Sequence, residues 1–158
     1  MAGQGTPATA LLTRERVAHQ VRTYDVDPDT PDYGGAVAAE LGVAPERLFK
    51  TLVTEVDGVL TVAVVPVIGE VDLKALATAA GGKRANLADR TLAERTTGYV
   101  RGGISPLGQR KRLPTIIDAS AETFETVFIS AGRRGLQVEL APADLIRLTN
   151  AQLAPIAG

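Results

Sequence analysis

Two runs rich in Val, Leu and Thr, residues 48–56 (LFKTLVTEV) and 59–65 (VLTVAVV), stand on either side of Asp57 and Gly58. No other feature of the chain restricts its fold as much. Asp-Gly between apolar runs is a strong short-range signal for a type I′ turn, because both central residues need a left-handed backbone that Asp tolerates and Gly adopts freely. The two runs are expected to pair as an antiparallel hairpin whose side chains alternate between its faces.

The segments around the hairpin mix helix and strand signals. Thr6 and Pro7 form an N-cap and first-turn pair for a helix reaching about His19. A strand is expected over 21–26, a loop through DPDTPDYGG, and a short helix over 36–41 closed by Gly42 in the left-handed cap position. Asp72 starts a helix that ends near Ala80 at Gly81 and Gly82, and Asp89 or Arg90 starts another that ends near Thr97 and Gly98. Residues 97–114 (TGYVRGGISPLGQRKRLP) are too interrupted by Gly and Pro for a long element and too apolar for a linker. Strands over 115–118, 126–130 and 136–140 precede a last helix from Pro142 to about Leu148. Several neighbouring strands are joined by turns too short for crossovers, so an α/β fold of α+β type with a mixed, largely antiparallel sheet is expected. The chain has 158 residues and shows neither a repeat nor an internal boundary, which predicts a single compact domain over 1–158.

Composition narrows the chemistry. With 45% hydrophobic residues but only three Phe, three Tyr and no Trp, the core must be aliphatic. The absence of Cys removes disulfides, thiolate nucleophiles and Cys-based zinc sites, and a single His leaves no imidazole cluster for a metal. No metal and no cofactor are therefore expected. The most apolar stretch, residues 59–68, is broken by Thr61 and Pro66 and is far shorter than the roughly 18 residues of a membrane span. With no basic and apolar leader visible at the N-terminus, a soluble, cytoplasmic protein is expected. Charge is unevenly spread: six Lys/Arg against eleven Asp/Glu in residues 1–82, and eleven against seven in residues 83–158. Lys83 with Arg84, Arg101 with Arg110, Lys111 and Arg112, and Arg133 with Arg134 form basic clusters. These fit either solvated loops or an attraction for phosphate backbones.

A few residues stand out as candidate site groups. Lys50 shares a strand face with Leu48 and Leu52, so it is either a lysine whose stem packs while its head reaches water, or an ammonium fixed at a pocket edge for a carbonyl, carboxylate or phosphate. GGISPLGQ, residues 102–109, is either a structural glycine loop or a set of backbone donors with Ser105 beside them. It matches neither a Walker A loop nor GxGxxG. Tyr24 and Tyr33 flank the Pro/Asp loop and fit ordinary packing or the mouth of a pocket. His19 is expected at a helix end, where an imidazolium suits the helix dipole, and Asp118 and Glu139 lie on different strands with no spacing that pairs them.

Taken together, TPA at Thr6 to Ala8, TY at Thr23 and Tyr24, FKTL at 49–52, VTEVDG, the run TGYVRGGISPLGQRKRLPTIID at 97–118, and SAGRRGLQVEL at 130–140 resemble the YbaK/EbsC family of bacterial Cys-tRNA(Pro) deacylases, relatives of the editing domain inserted in bacterial prolyl-tRNA synthetases. The resemblance spans nearly the whole chain. It implies a compact fold with a curved mixed sheet flanked by helices, and a pocket for an aminoacyl group and the terminal adenosine of tRNA. It assigns the essential lysine to Lys50, with Tyr24, Gly102, Gly103, Ile104, Ser105 and Ser130 around the substrate. Two positions depart from the family pattern: Tyr33 stands where Phe is usual, and Gln137 stands where an acid is expected.

The implied activity is trans-editing removal of cysteine from mischarged Cys-tRNA(Pro). The substrate's own thiol would attack its ester carbonyl, so the reaction is formally a hydrolase or a lyase activity. Arg110, Lys111, Arg112, Arg133 and Arg134 are the implied contacts to the acceptor-stem backbone, and prolyl-tRNA synthetase is the implied partner. Deacylation of Ala-tRNA(Pro) or another small aminoacyl-tRNA, and a non-catalytic aminoacyl-tRNA-binding module, are the alternatives.

Overall fold

The computed structural model describes residues 5–158 and runs α1 (Pro7–Arg14), β1 (His19–Thr23), α2 (Tyr33–Leu41), β2 (Phe49–Val56), β3 (Val59–Pro66), α3 (Leu73–Ala79), β4 (Ala85–Leu87), α4 (Arg90–Thr97), β5 (Thr115–Asp118), β6 (Val127–Ser130), β7 (Leu136–Leu140), α5 (Pro142–Thr149) and β8 (Gln152–Ala154). The central hairpin forms as its sequence dictates. Asp57 (φ 48°) and Gly58 (φ 84°) both take the left-handed backbone, and β2 pairs with β3 from Phe49 opposite Pro66 to Val56 opposite Val59. Asp57 also ties down the next turn, its carboxylate accepting the amides of Lys83 and Arg84 at 2.9 and 3.0 Å.

The alternation along the hairpin builds two layers of core. Phe49, Val53, Val62 and Val64 point to one side with Ile117, where Leu12, Ala93 and Leu145 cover them. Val56, Ala63 and Val65 point to the other with Ile116, against Leu76 and Ala77 of α3. Residues 62–65 of β3 are wholly buried, as a central strand covered on both faces must be.

The strands divide into a five-stranded sheet, β4-β2-β3-β5-β8, and a three-stranded one, β1-β7-β6. The ladders β1–β7, β6–β7, β2–β3 and β2–β4 are antiparallel, while β3–β5 and β5–β8 are parallel, so the arrangement is mixed and largely antiparallel as expected. Helices flank the sheets, and a single parallel bridge, Leu48 to Phe128, links the two.

Several boundaries differ from the sequence expectation for local reasons. Helix α1 stops at Arg14, not His19, because Arg16 turns left-handed (φ 56°) and the Val17 amide folds back to the Leu12 carbonyl at 3.0 Å. His19 therefore opens β1 opposite Leu140, and its dipole role at a helix end disappears. Helix α2 starts at Tyr33, three residues early, because the Asp32 carboxylate caps it through the Gly35 amide. The three-residue strands β4 and β8 carry no sequence signal.

Candidate active site

β3 pairs with β2 along its whole length, but β4 covers the other flank only over residues 54–56. The opposite end of β2 is left open towards the smaller sheet. A cleft of about 510 Å³ lies there, and its wall includes every residue from 48 to 53, which requires access along the strand's flank and not from one face alone. The volume falls within the ordinary range for a small-ligand site.

Seven of the expected site residues line the cleft, and they come from six parts of the chain. Lys50 comes from β2, Tyr24 from the end of β1, Tyr33 from the start of α2, Gly102 and Ile104 from the glycine loop, Ser130 from the end of β6, and Gln137 from β7. Arg134 also lines it, as do Thr51, Glu70 and Arg101, which the sequence did not single out as site residues. The Lys50 ammonium donates to Glu70 Oε2 at 3.1 Å, with the lysine side chain 27% exposed. The Tyr33 hydroxyl donates to that of Tyr24 at 3.2 Å, and the rings meet edge-on at 6.4 Å. Burial, together with that hydrogen bond, pushes the Tyr33 phenol well above its ordinary range, so it stays neutral. The hydroxyl that distinguishes Tyr33 from Phe is thus satisfied within the protein.

Two polar atoms of residues lining the cleft have no such partner. Gln137 is 8% exposed, and its Oε1 and the Oγ1 of Thr51 are both buried without a hydrogen bond. Native structures rarely leave such atoms unpaired, and both belong to residues that line this one cleft.

Other expected site residues lie elsewhere. Ser105 is fully buried and its hydroxyl accepts the Leu107 amide at 3.2 Å. The Gly103 amide donates to the Val100 carbonyl at 3.0 Å, so it is committed to the loop and does not act as an oxyanion donor. Gly103 has a packing role instead: a Cβ there would come within 2.5 Å of the Arg133 Cα. Arg110, Lys111 and Arg112 are exposed but off the cleft, with the Arg110 and Lys111 amides bonded to Thr97 and Thr96. Arg133 is exposed beside Arg134, whose guanidinium donates to the Arg101 carbonyl at 3.3 Å and holds two arginine-bearing segments together at the rim.

The wall therefore offers one ammonium, two guanidinium groups, two carboxylates and several hydroxyls. It offers no thiol, and His19 lies outside it. Among the described residues no group of His, Cys, Asp or Glu is placed to hold a metal ion. Such a wall can orient a ligand and stabilise charge on it.

Comparison with known proteins gives the ligand class. Residues 27–148 match the aminoacyl-tRNA editing domain. The chain is 45% identical over 154 residues to an Enterococcus faecalis protein provisionally named Cys-tRNA(Pro)/Cys-tRNA(Cys) deacylase EbsC, covering 97% of this chain and 93% of that one. It is 30% identical to the Escherichia coli multifunctional Ser/Thr-tRNA deacylase ProXp-y, covering 91% and 87%. Among solved structures, one described as a candidate trans-editing enzyme for prolyl tRNA synthetase superposes with a TM-score of 0.84 at 22% identity over 98% of both chains, a likeness of fold. With a match of this extent over a cleft of this make-up, the chain belongs to the aminoacyl-tRNA editing domain family.

Proposed function

We propose that this protein is a single-domain, trans-editing aminoacyl-tRNA deacylase that removes cysteine from Cys-tRNA(Pro). The observation that carries the proposal is the Lys50 ammonium on the wall of a cleft sized for an aminoacyl group, in a chain 45% identical to a protein named for this reaction. The cysteine sulfur of the substrate attacks the ester carbonyl carbon. A carbon–sulfur bond forms, the carbon–oxygen bond to the ribose breaks, and the thiol proton passes to the departing ribose oxygen. Lys50 stabilises negative charge developing on the carbonyl oxygen, while Gly102 and Ser130 help to shape the wall around the aminoacyl group. Specificity then follows partly from chemistry, since an alanyl or prolyl group brings no nucleophile.

Arg101 and Arg134 at the rim meet the phosphates of the acceptor end, with Arg110, Lys111, Arg112 and Arg133 as outer contacts. Recognition of tRNA identity falls to prolyl-tRNA synthetase as partner, in the cytoplasm. The second reading, deacylation of another small aminoacyl-tRNA, draws on the neutral Gln137 and on the Ser/Thr-tRNA deacylase among the relatives.

Cys-tRNA(Pro) and Ala-tRNA(Pro) offered side by side test this. Cysteine should be lost at least about a hundredfold faster, by the reasoning for a site that rejects an analogue lacking the group it uses, and comparable rates would transfer the assignment to the second reading. Raising salt from about 50 to about 200 mM should weaken tRNA binding by about 10²- to 10³-fold, as expected for six phosphate contacts.

Gln137→Met separates affinity from stability. Removing a buried acceptor that has no partner should leave the folding free energy within about 1 kcal/mol, while KM for Cys-tRNA(Pro) rises about fivefold. A thermal melt and a rate curve on the same preparation decide it: an unchanged KM would mean that the Gln137 carbonyl faces no substrate donor.

A further inference from the structure

The charge on the cleft wall is unbalanced in a way that singles out Glu70. Lys50, Arg101 and Arg134 line the cleft, and the acids lining it are Asp32 and Glu70. The Asp32 carboxylate is engaged in capping α2, and Gln137 is neutral. An aminoacyl ester brings an α-ammonium as well as phosphates, and a cation entering among three cations needs a nearby anion. Glu70 meets that need. One of its oxygens takes the Lys50 ammonium at 3.1 Å, and its side chain is 85% exposed, so the carboxylate stays open to a second donor.

Glu70 is also held in place. Its carbonyl accepts the Gly158 amide at 2.8 Å, its amide donates to the Gly158 carbonyl at 3.4 Å, and Val71 bridges to Ala157. The Glu70 backbone is thus pinned beside the one lysine of the cleft, and that lysine holds one of its carboxylate oxygens.

We infer that Glu70 is the contact for the α-ammonium of the aminoacyl group, an assignment that rests on the editing reading above. Glu70 takes the substrate's cation, and the Lys50 ammonium is left facing the ester carbonyl. The consequence is a requirement for a free α-amine, so esters acylated on that nitrogen, peptidyl-tRNA included, are discriminated against.

Calorimetric titration with 3′-deoxy-3′-(cysteinylamino)adenosine, a non-cleavable amide, and with its N-acetyl form tests the assignment in wild type, Glu70→Gln and Glu70→Asp. Wild type should bind the free amine about fivefold more tightly, a modest factor because the carboxylate is exposed. Glu70→Gln should erase that preference, and Glu70→Asp should restore part of it. The assignment is overturned if Glu70→Gln keeps the wild-type preference, if wild type shows none or binds neither compound, or if Glu70→Gln weakens both compounds equally, which would mean action only through Lys50. Deacylation of Cys-tRNA(Pro) followed in parallel keeps the two claims apart. Normal turnover without amine discrimination defeats the Glu70 assignment alone, whereas Glu70-dependent discrimination without turnover defeats the proposed reaction alone.

Discussion

Lys50→Ala is expected to lower kcat for Cys-tRNA(Pro) deacylation by about 10²- to 10³-fold, the usual cost of deleting one donor aimed at developing oxyanion charge. The loss should fall on kcat more than on KM, because the carbonyl oxygen gains charge only as the sulfur attacks. Stability should hardly change. The Lys50–Glu70 pair is largely exposed on the acid side, and exposed pairs of this kind contribute little to folding. Lys50→Arg should rescue poorly, since a planar guanidinium cannot place its charge where a compact ammonium sits on a four-carbon stem. Single-turnover kinetics with the three proteins decide the matter: a Lys50→Ala protein with wild-type kcat removes Lys50 from the reaction, and a loss confined to KM makes it a binding residue.

Lys50 stood out because it interrupts an apolar strand, a local signal that left a packed stem and a pocket ammonium both open, and the family resemblance alone pointed to the second. The hairpin was legible for the same kind of reason, since Asp57 and Gly58 dictate both their own backbone and the register of the strands they join. Glu70 was not. It lies twenty residues from Lys50 in a connection, and its place beside the ammonium depends on backbone pairing with Gly158, far away in sequence. The strands β4 and β8 were invisible likewise, because three residues carry no period and only the partners β2 and β5 make them strands.

The glycine loop divides along the same line. Its composition fitted either a structural loop or a set of backbone donors for a ligand, and Gly103 packed against Arg133 serves the first. Which of its groups stay available for a ligand was decided by hydrogen bonds within the loop, and those took the Gly103 amide and the Ser105 hydroxyl. Gln137 entered through family resemblance alone, whereas Tyr33 was already a candidate for a pocket mouth from its place beside the Pro/Asp loop. Only the structure shows that the extra hydroxyl of Tyr33 is spoken for by Tyr24 while the Gln137 carbonyl is not.

Asp118→Ala should be among the most destabilising substitutions in the chain, at about 3 kcal/mol. Asp118 ends β5 and is buried, and its two oxygens serve two different segments. Oδ2 accepts the Ser120 hydroxyl at 2.6 Å and the Ser120 amide at 3.2 Å, while Oδ1 accepts the amides of Ile156 and Ala157 at 2.9 and 3.0 Å. Burial by itself raises the Asp118 carboxyl, but these hydrogen bonds outweigh it and hold the group below its ordinary value of 3.8. A carboxyl whose folded value is depressed contributes stability that is complete above the unfolded value and disappears as pH falls through the folded one. The gap between wild type and Asp118→Ala should therefore be constant from neutral pH down to about pH 5 and shrink below about pH 4. In a protein of this size the gap corresponds to a fall in Tm of about 10 °C. The consequence reaches the cleft, because residues 156 and 158 bond in turn to Asp72 and Glu70. Loosening the 156–158 segment should blunt the amine preference assigned to Glu70 even at temperatures where Asp118→Ala remains folded. Melts across the pH range, with the adenosine amide titrations repeated on the folded variant, measure both effects, and a variant as stable as wild type at pH 7 would deny Asp118 its anchoring role.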